Sequence, residues 1–357
     1  MFLSRASTVR DCLMVSNTAY GGGGVMMAAP GLVEDCTIEH NRGTYWGGGV
    51  VLYSGQTGVV NRCVIRNNVA SNYGGGVAIQ GRGSLSNSWI TGNTAVLEDA
   101  GGVAMDTEGG RAVNCVIANN AAGQDGGGVR LAGGGLAHCT VVSNVASRNG
   151  GGVYAANSTS WNSIVYYNEA LAYSDVYSGG SEFLFNCSGT DLRGSNWTNS
   201  PGFTDVGGGD YHLAAGSSCV DAGTALTPAV NEDLDGNPRP AGGAPDAGAY
   251  EYDAGAAAWD AGYSSIGGGW RRLSWFGDYV PMGDWIFHNK QGFWYPAAGS
   301  TPANIWFFTQ DMGWLYTGNA TYPFLYRSSD GAWLWYNGST NPRWFRNMTA
   351  GTWESRP

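Results

Sequence analysis

A run of glycines ahead of a valine recurs along the first half of this chain at a nearly constant interval. Aligned on that valine, Val25, Val50, Val77, Val103, Val129 and Val153 stand 25, 27, 26, 26 and 24 residues apart. A glycine in a strand loses roughly 0.5–1 kcal/mol relative to alanine, so repeating Gly74-Gly75-Gly76 and its equivalents implies a geometric need. A second motif keeps the same interval: Cys36 to Asn41, Cys63 to Asn68, Ser88 to Asn93, Cys115 to Asn120, Cys139 to Asn144 and Ser163 to Asn168. Cys12 to Asn17 already fits it, and Asn186-Cys187 suggests one more degenerate unit. Self-similarity with a period of roughly 20–50 residues marks a solenoid, propeller or array.

Within each unit apolar residues alternate with period two, as in Val77/Ile79 and Val103/Met105, so the units are strands. No helical period intervenes. A coil of this length holding two or three short strands, each bonded to the next coil at ~4.8 Å, is a parallel β-helix. The spacing predicts about seven coils of 24–27 residues over 1–199, in an all-β chain that begins inside the array. Such coils make a rod of roughly 35 Å. The glycines then form a stacked corner where φ is positive and no Cβ intrudes. The asparagines form a ladder at another bend, where left-handed backbone is tolerated, and the Cys/Ser position reads as a small buried filler. Cys187 and Cys219 lie outside that ladder and are candidates for a pair; the odd total of seven cysteines leaves at least one free thiol.

Gly-Gly-Gly-Val paired with a later Ile/Val-x-x-Asn resembles the polymorphic outer-membrane protein repeat over about residues 10–190. That resemblance implies a surface-exposed passenger used in adhesion. Residues 200–252 carry Gly-Asp-Tyr-His-Leu, Ser-Ser-Cys-Val-Asp-Ala-Gly, Asp-Leu-Asp-Gly-Asn-Pro-Arg and Asp-Ala-Gly-Ala-Tyr-Glu. This combination resembles the choice-of-anchor module that follows right-handed β-helices in secreted bacterial proteins. Its bottom-up role is a cap, because a β-helix exposes an unpaired edge at each end. The resemblances imply an extracellular or cell-surface protein whose export signal lies upstream, since MFLSRASTVRDCLMVSN has no apolar signal core.

Asp233, Asp235 and Asn237 alternate around Gly236, a spacing that offers oxygens to calcium. An EF-hand frame opening at Asp233 would place Pro238 where glycine is needed and Ala244 where glutamate is needed. Asp-Gly-Asn-Pro is equally a good turn.

After a Gly/Ala-rich linker at 253–269, the texture changes again: Trp259–Trp353 hold 11 of the 15 tryptophans. Gly292, Gly313, Gly331 and Gly351 are 21, 18 and 20 residues apart, each between two aromatic runs. Each unit over 270–357 reads as a β-hairpin, and stacking must bury aromatics between hairpins. The pattern is similar to the aromatic hairpin repeats of Gram-positive cell-wall and choline-binding modules, which implies polysaccharide or cell-envelope glycan as partner. On that reading Trp285, Trp294, Trp306, Trp314, Trp333, Trp344 and Trp353 are the ligand-stacking candidates, against the alternative that they are inter-hairpin core. His288, Lys290 and Arg327 fall in turns and read as solvated.

A net charge of −10 with no basic stripe excludes a nucleic-acid surface. No apolar run reaches the ~18–20 residues needed to span a bilayer as a helix. Catalysis is the competing reading, as a polysaccharide lyase or glycoside hydrolase with an accessory carbohydrate module. A lyase needs a base and a hydrolase needs paired carboxylates. The solenoid holds no lysine, the chain's single one being Lys290. Its best acidic patch is Glu98-Asp99 and Asp106-Thr107-Glu108 near Arg130 on neighbouring coils, with Glu98, Asp106 and Arg130 the catalytic candidates. The favoured expectation is a non-catalytic binding protein.

Overall fold

The computed structural model describes residues 1–53, 57–106, 109–252, 259–260, 262–283, 285–297, 300 and 302–356. Two compact units emerge, one of Met1–Phe203 with His212–Tyr252, the other of Thr204–Tyr211 with Asp253–Pro357. Among the described residues there is no α-helix, and hence no helix long and apolar enough to cross a membrane.

The first unit is a right-handed parallel β-helix of eight coils rather than seven. Three eight-stranded sheets and one seven-stranded sheet run along it, each strand pairing only with its counterparts one coil away. The first sheet runs from Phe2–Leu3 through Val77–Ile79 to Val176–Gly179, and the second from Ser7–Arg10 through Ser84–Ser86 to Glu182–Leu184. The third runs from Leu13–Val15 to Cys187–Ser188, and the short fourth from Thr18–Gly21 to Glu169–Ala172. The glycine-valine frame undercounts because Phe2–Leu3 and Val176–Gly179 pair as outer coils without a glycine triplet. Val50, Val77 and Val103 are aligned Cα partners, as their spacing predicts.

The inward columns build one continuous core. Val25, Val50, Val77, Val103, Val129 and Val153 are fully buried, as are Ile38, Ile65, Ile90 and Ile117 on the third sheet. The glycine corner works by two different constraints. Gly74 has φ +65, whereas a Cβ on Gly75 would sit 2.4 Å from the Gly101 carbonyl oxygen and collide with the next coil.

The asparagine ladder differs from expectation in one respect. The left-handed residue is the one before each asparagine (His40, Asn67, Asn119 and Ser143 at φ 55, 54, 57 and 55), not the asparagine itself. Asparagine is needed for its side chain. Asn68 Nδ2 donates to Asn93 Oδ1 at 3.0 Å and to the Ile38 carbonyl at 2.8 Å, and Asn93 repeats this one coil on. The same device serves the Cys/Ser column, where the preceding Asp35, Arg62, Asn87 and Asn114 have positive φ. Cys36, Cys63 and Cys115 are buried fillers whose thiols donate to the carbonyl two residues earlier. Register places Asn186, not Cys187, opposite Ser163, so Cys187 aligns with Ile164. Cys187 and Cys219 meet in one small core with Ile164, Leu213 and Ala247, both as free thiols.

Residues 212–252 lie along the side of the solenoid, at the turn between its second and third sheets. Asn114 donates to the Glu232 carbonyl, Thr140 Oγ1 accepts from Ala249 N, and Asn162 exchanges two hydrogen bonds with Thr224.

In the second unit an 11-stranded antiparallel sheet runs in sequential order from Ser264–Gly267 to Thr352–Arg356. Its first strand falls within the stretch read as linker, of which 253–258 and 261 lie outside the described residues. Trp259, also in that stretch, packs edge-on against Phe276 and Phe307 in the aromatic core. Two turn residues read as solvated are buried instead. His288 Nε2 donates to the Phe276 carbonyl at 2.9 Å while Nδ1 accepts two backbone N–H groups, and Arg327 is clamped by Asp330 and Glu354.

Candidate functional site

Three places carry the chemistry anticipated from the sequence. The first is the outward surface of the first sheet. Arg130 projects from the strand Val129–Ala132, with Tyr154 and then Tyr177 in register on the next two coils. Its Nε lies 3.0 Å from Asp99 Oδ2 and its Nη1 2.5 Å from Asp106 Oδ1. The guanidinium also stands over the Tyr73 ring, 5.8 Å from the centroid. A hydrogen bond to Glu98, reinforced by burial, pushes the Tyr73 phenol up to about 12. Glu98, Asp99, Asp106 and Arg130 are therefore gathered as their coil positions imply, with Asn72 donating to Glu98 at 3.3 Å. Glu108 lies outside the described residues.

The gathering leaves little free to react. Arg130 is held between two carboxylates, those of Asp99 and Asp106. Burial raises the Asp99 pKa, the direction an acid catalyst needs. Its two oxygens, however, face Arg130 and the Asp125 backbone N–H at 3.0 Å. Arg148 forks onto Asp125 beside it. The arrangement is a rigid polar and aromatic surface, extended by the Tyr154–Tyr177 stack at 4.7 Å.

The second place is the loop holding Asp233, Asp235 and Asn237. Asp233 Oδ1 accepts the backbone N–H groups of Asp235 and Asn237 at 2.9 and 2.8 Å. Its Oδ2 accepts Glu251 N at 2.9 Å and Asn237 Nδ2 at 3.1 Å. Asp235 instead reaches His212 Nε2 at 2.7 Å. Calcium requires lone pairs directed at the ion, and here four N–H groups already fill those of Asp233. The residues do not fit the ion; they fit a turn that locks a buried ionic cluster. Within that cluster Arg239 pairs with Glu251 at 2.7 Å and donates to His138 Nδ1 at 2.6 Å. Burial, and then the Arg239 cation, depress His138 to about 3, while burial raises Asp246 to about 6. Among the described residues no group of three or more His, Cys, Asp or Glu side chains is arranged to hold a metal. The docking role of His138 was invisible in the sequence, because its partner Arg239 is 101 residues away.

The third place is the aromatic sheet, whose strands alternate strictly. Tyr279, Trp294, Phe307, Leu315, Leu325, Leu334 and Phe345 face inward and are buried. Trp294 is thus core, its indole Nε1 donating to the Gln291 carbonyl at 3.3 Å, and is not available to a ligand. Trp306, Trp314, Trp333, Trp344 and Trp353 point the other way and remain 37–47 % exposed; Trp285 is half-buried against Tyr295. Register sets Trp306, Tyr316, Tyr326 and Trp333 side by side across four strands. A second row joins Phe324, Trp335, Arg346 and Trp353.

Residues 3–109 match the family model described as the right handed beta helix region. The crystal structure of pectate lyase Pel9A is similar at 15 % identity and a TM-score of 0.44, over 69 % of this chain and 66 % of that one. The similarity thus spans less than two thirds of the lyase, and at this level it assigns no activity. No curated protein sequence matches the chain.

Proposed function

We propose that this protein is a non-catalytic, carbohydrate-binding β-helix protein of the extracellular space or cell surface, whose aromatic sheet holds polysaccharide or envelope glycan. The observation carrying this reading is the outer row Trp306, Tyr316, Tyr326 and Trp333. The sheet already has a complete inner core, so these rings are not required to bury its hydrophobic face. Cross-strand aromatic pairs do stabilise a sheet, but they do not need more than a third of each indole left in water. A contiguous exposed apolar surface of this kind marks an interaction site. A row of rings at a pitch of ~4.8 Å presents successive flat faces and edges to the C–H face of a sugar chain.

The test is a pull-down of the full chain on insoluble glycans and cell-wall preparations. Trp306→Ala with Trp333→Ala should abolish retention while the circular dichroism spectrum stays unchanged. Retention that survives both changes would count against the reading. The alternative, polysaccharide cleavage at the Arg130 patch, finds little support in an arginine already ion-paired with Asp99 and Asp106. Unsaturated product or new reducing ends, lost on changing Glu98, Asp106 or Arg130, would reverse that preference.

A further inference from the structure

The outward face of the second sheet is hollowed at its sixth coil, although the strand pairing continues through it. Its outward residues form two columns in register, Ser84–Arg111–Gly135–Thr159 and Ser86–Val113–Ala137–Trp161. Gly135 and Ala137 put two small residues side by side, so a notch opens between Arg111 on one coil and Trp161 two coils along. Ala225, Leu226 and Thr227 lie over it, pinned by the paired Thr224–Asn162 hydrogen bonds of 3.0 and 2.7 Å. The cavity measures about 620 Å³, within the roughly 300–1,000 Å³ of small-ligand sites. Coils stack at ~4.8 Å, so the two walls stand roughly 10 Å apart, room for one ring laid against an indole.

The lining chemistry is specific. Trp161 is half-buried and, among the described residues, packs on no other ring. Arg111 is exposed, and among the described residues its guanidinium meets no carboxylate. In the same unit Arg62, Arg130, Arg148 and Arg239 are each ion-paired. Arg5, Arg42, Arg82 and Arg193 resemble Arg111 in meeting no carboxylate among the described residues; what sets Arg111 apart is that it lines the cavity. Among the described residues no acid lines the cavity. An unpaired cation and an unstacked indole lining one roofed notch with no acid among its described residues favour a ligand that supplies both an apolar ring face and an anion.

We propose that this notch binds an acidic pyranoside, the sugar ring stacking on Trp161 and its carboxylate or sulfate pairing with Arg111. The site is independent of the aromatic sheet. Calorimetric titration of the full chain with a glucuronate trisaccharide, its methyl ester and a sulfated hexose trisaccharide tests it. At least one anionic sugar should bind about tenfold or more tightly than the neutral ester, and which one does so identifies the anion. Arg111→Gln should bring its affinity down to that of the ester. Gly135→Thr should abolish binding without unfolding, because the added side chain fills the notch, its Cβ 2.9 Å from Thr159 Oγ1 displaces only that hydroxyl, which can turn to another rotamer, and threonine favours strands. Trp306→Ala should leave these affinities unchanged, which separates the notch from the aromatic row. Equal affinity for acid and ester, no binding of either anionic sugar, or binding that persists in Gly135→Thr, would overturn the proposal.

Discussion

Replacing Asn93 by alanine removes one rung from the middle of the asparagine ladder. Asn93 is fully buried; its Oδ1 accepts the Asn68 backbone N–H at 2.9 Å and Asn68 Nδ2 at 3.0 Å. Truncation strands both donors where water does not reach. Each abandoned buried donor costs ~1–3 kcal/mol, so the loss is about 2–6 kcal/mol. That is a large part of the ~5–15 kcal/mol holding an ordinary domain together. Asn17 makes the same side-chain bond to Asn41, at 3.0 Å, from the exposed end of the column. Water can replace what its truncation removes, and Asn17→Ala should cost less than ~1 kcal/mol. Guanidinium unfolding of the solenoid transition, followed by far-ultraviolet circular dichroism, compares the two. Hydrogen exchange of a peptide spanning 64–70 should rise in Asn93→Ala alone. Equal unfolding midpoints for the two variants would refute the argument that stacked side-chain amides, rather than local turn preference, hold this corner.

Gly75→Ala should prevent soluble folding, because its Cβ meets backbone at 2.4 Å; a folded variant with an unshifted melting temperature would contradict this. Trp294→Ala should destabilise the aromatic sheet by roughly 3–5 kcal/mol, whereas exposed Trp314→Ala should shift its melting temperature little. The pH dependence follows from the buried cluster. His138 is depressed to about 3, so the unfolded chain takes up a proton that the fold refuses as pH falls from about 6.5. The stability tied to neutral His138 is complete above that pH and drains away below it. Asp246, raised to about 6, acts oppositely, its burial costing stability as pH rises from about 4. His138→Gln should therefore flatten the fall in melting temperature between pH 6.5 and 4; an unchanged slope would exclude His138 as its source.

Much of the solenoid could be read from one dimension because each coil contacts only its neighbours. A residue column in space is then a residue period in sequence, and Val50, Val77 and Val103 or Asn68, Asn93 and Asn120 can be aligned by counting. The same logic brought Asp106 to Arg130, 24 residues apart and one coil away. Counting also misplaced details. The left-handed backbone belongs to the residue before each asparagine, since sequence marks which residue recurs but not which torsion it takes.

What the repeat could not disclose depends on contacts without a period. Arg239 finds His138, Asp233 spends its oxygens on nearby N–H groups, and Ala225, Leu226 and Thr227 roof the notch at Gly135 only because the chain doubles back along the coils. In the aromatic sheet, strand alternation fixes that neighbouring residues face opposite ways, but not which way. Trp294 and Trp306 look alike in sequence. Only the packing of Phe276 and Phe307 around Trp294 decides that one indole is core and the other is left facing water.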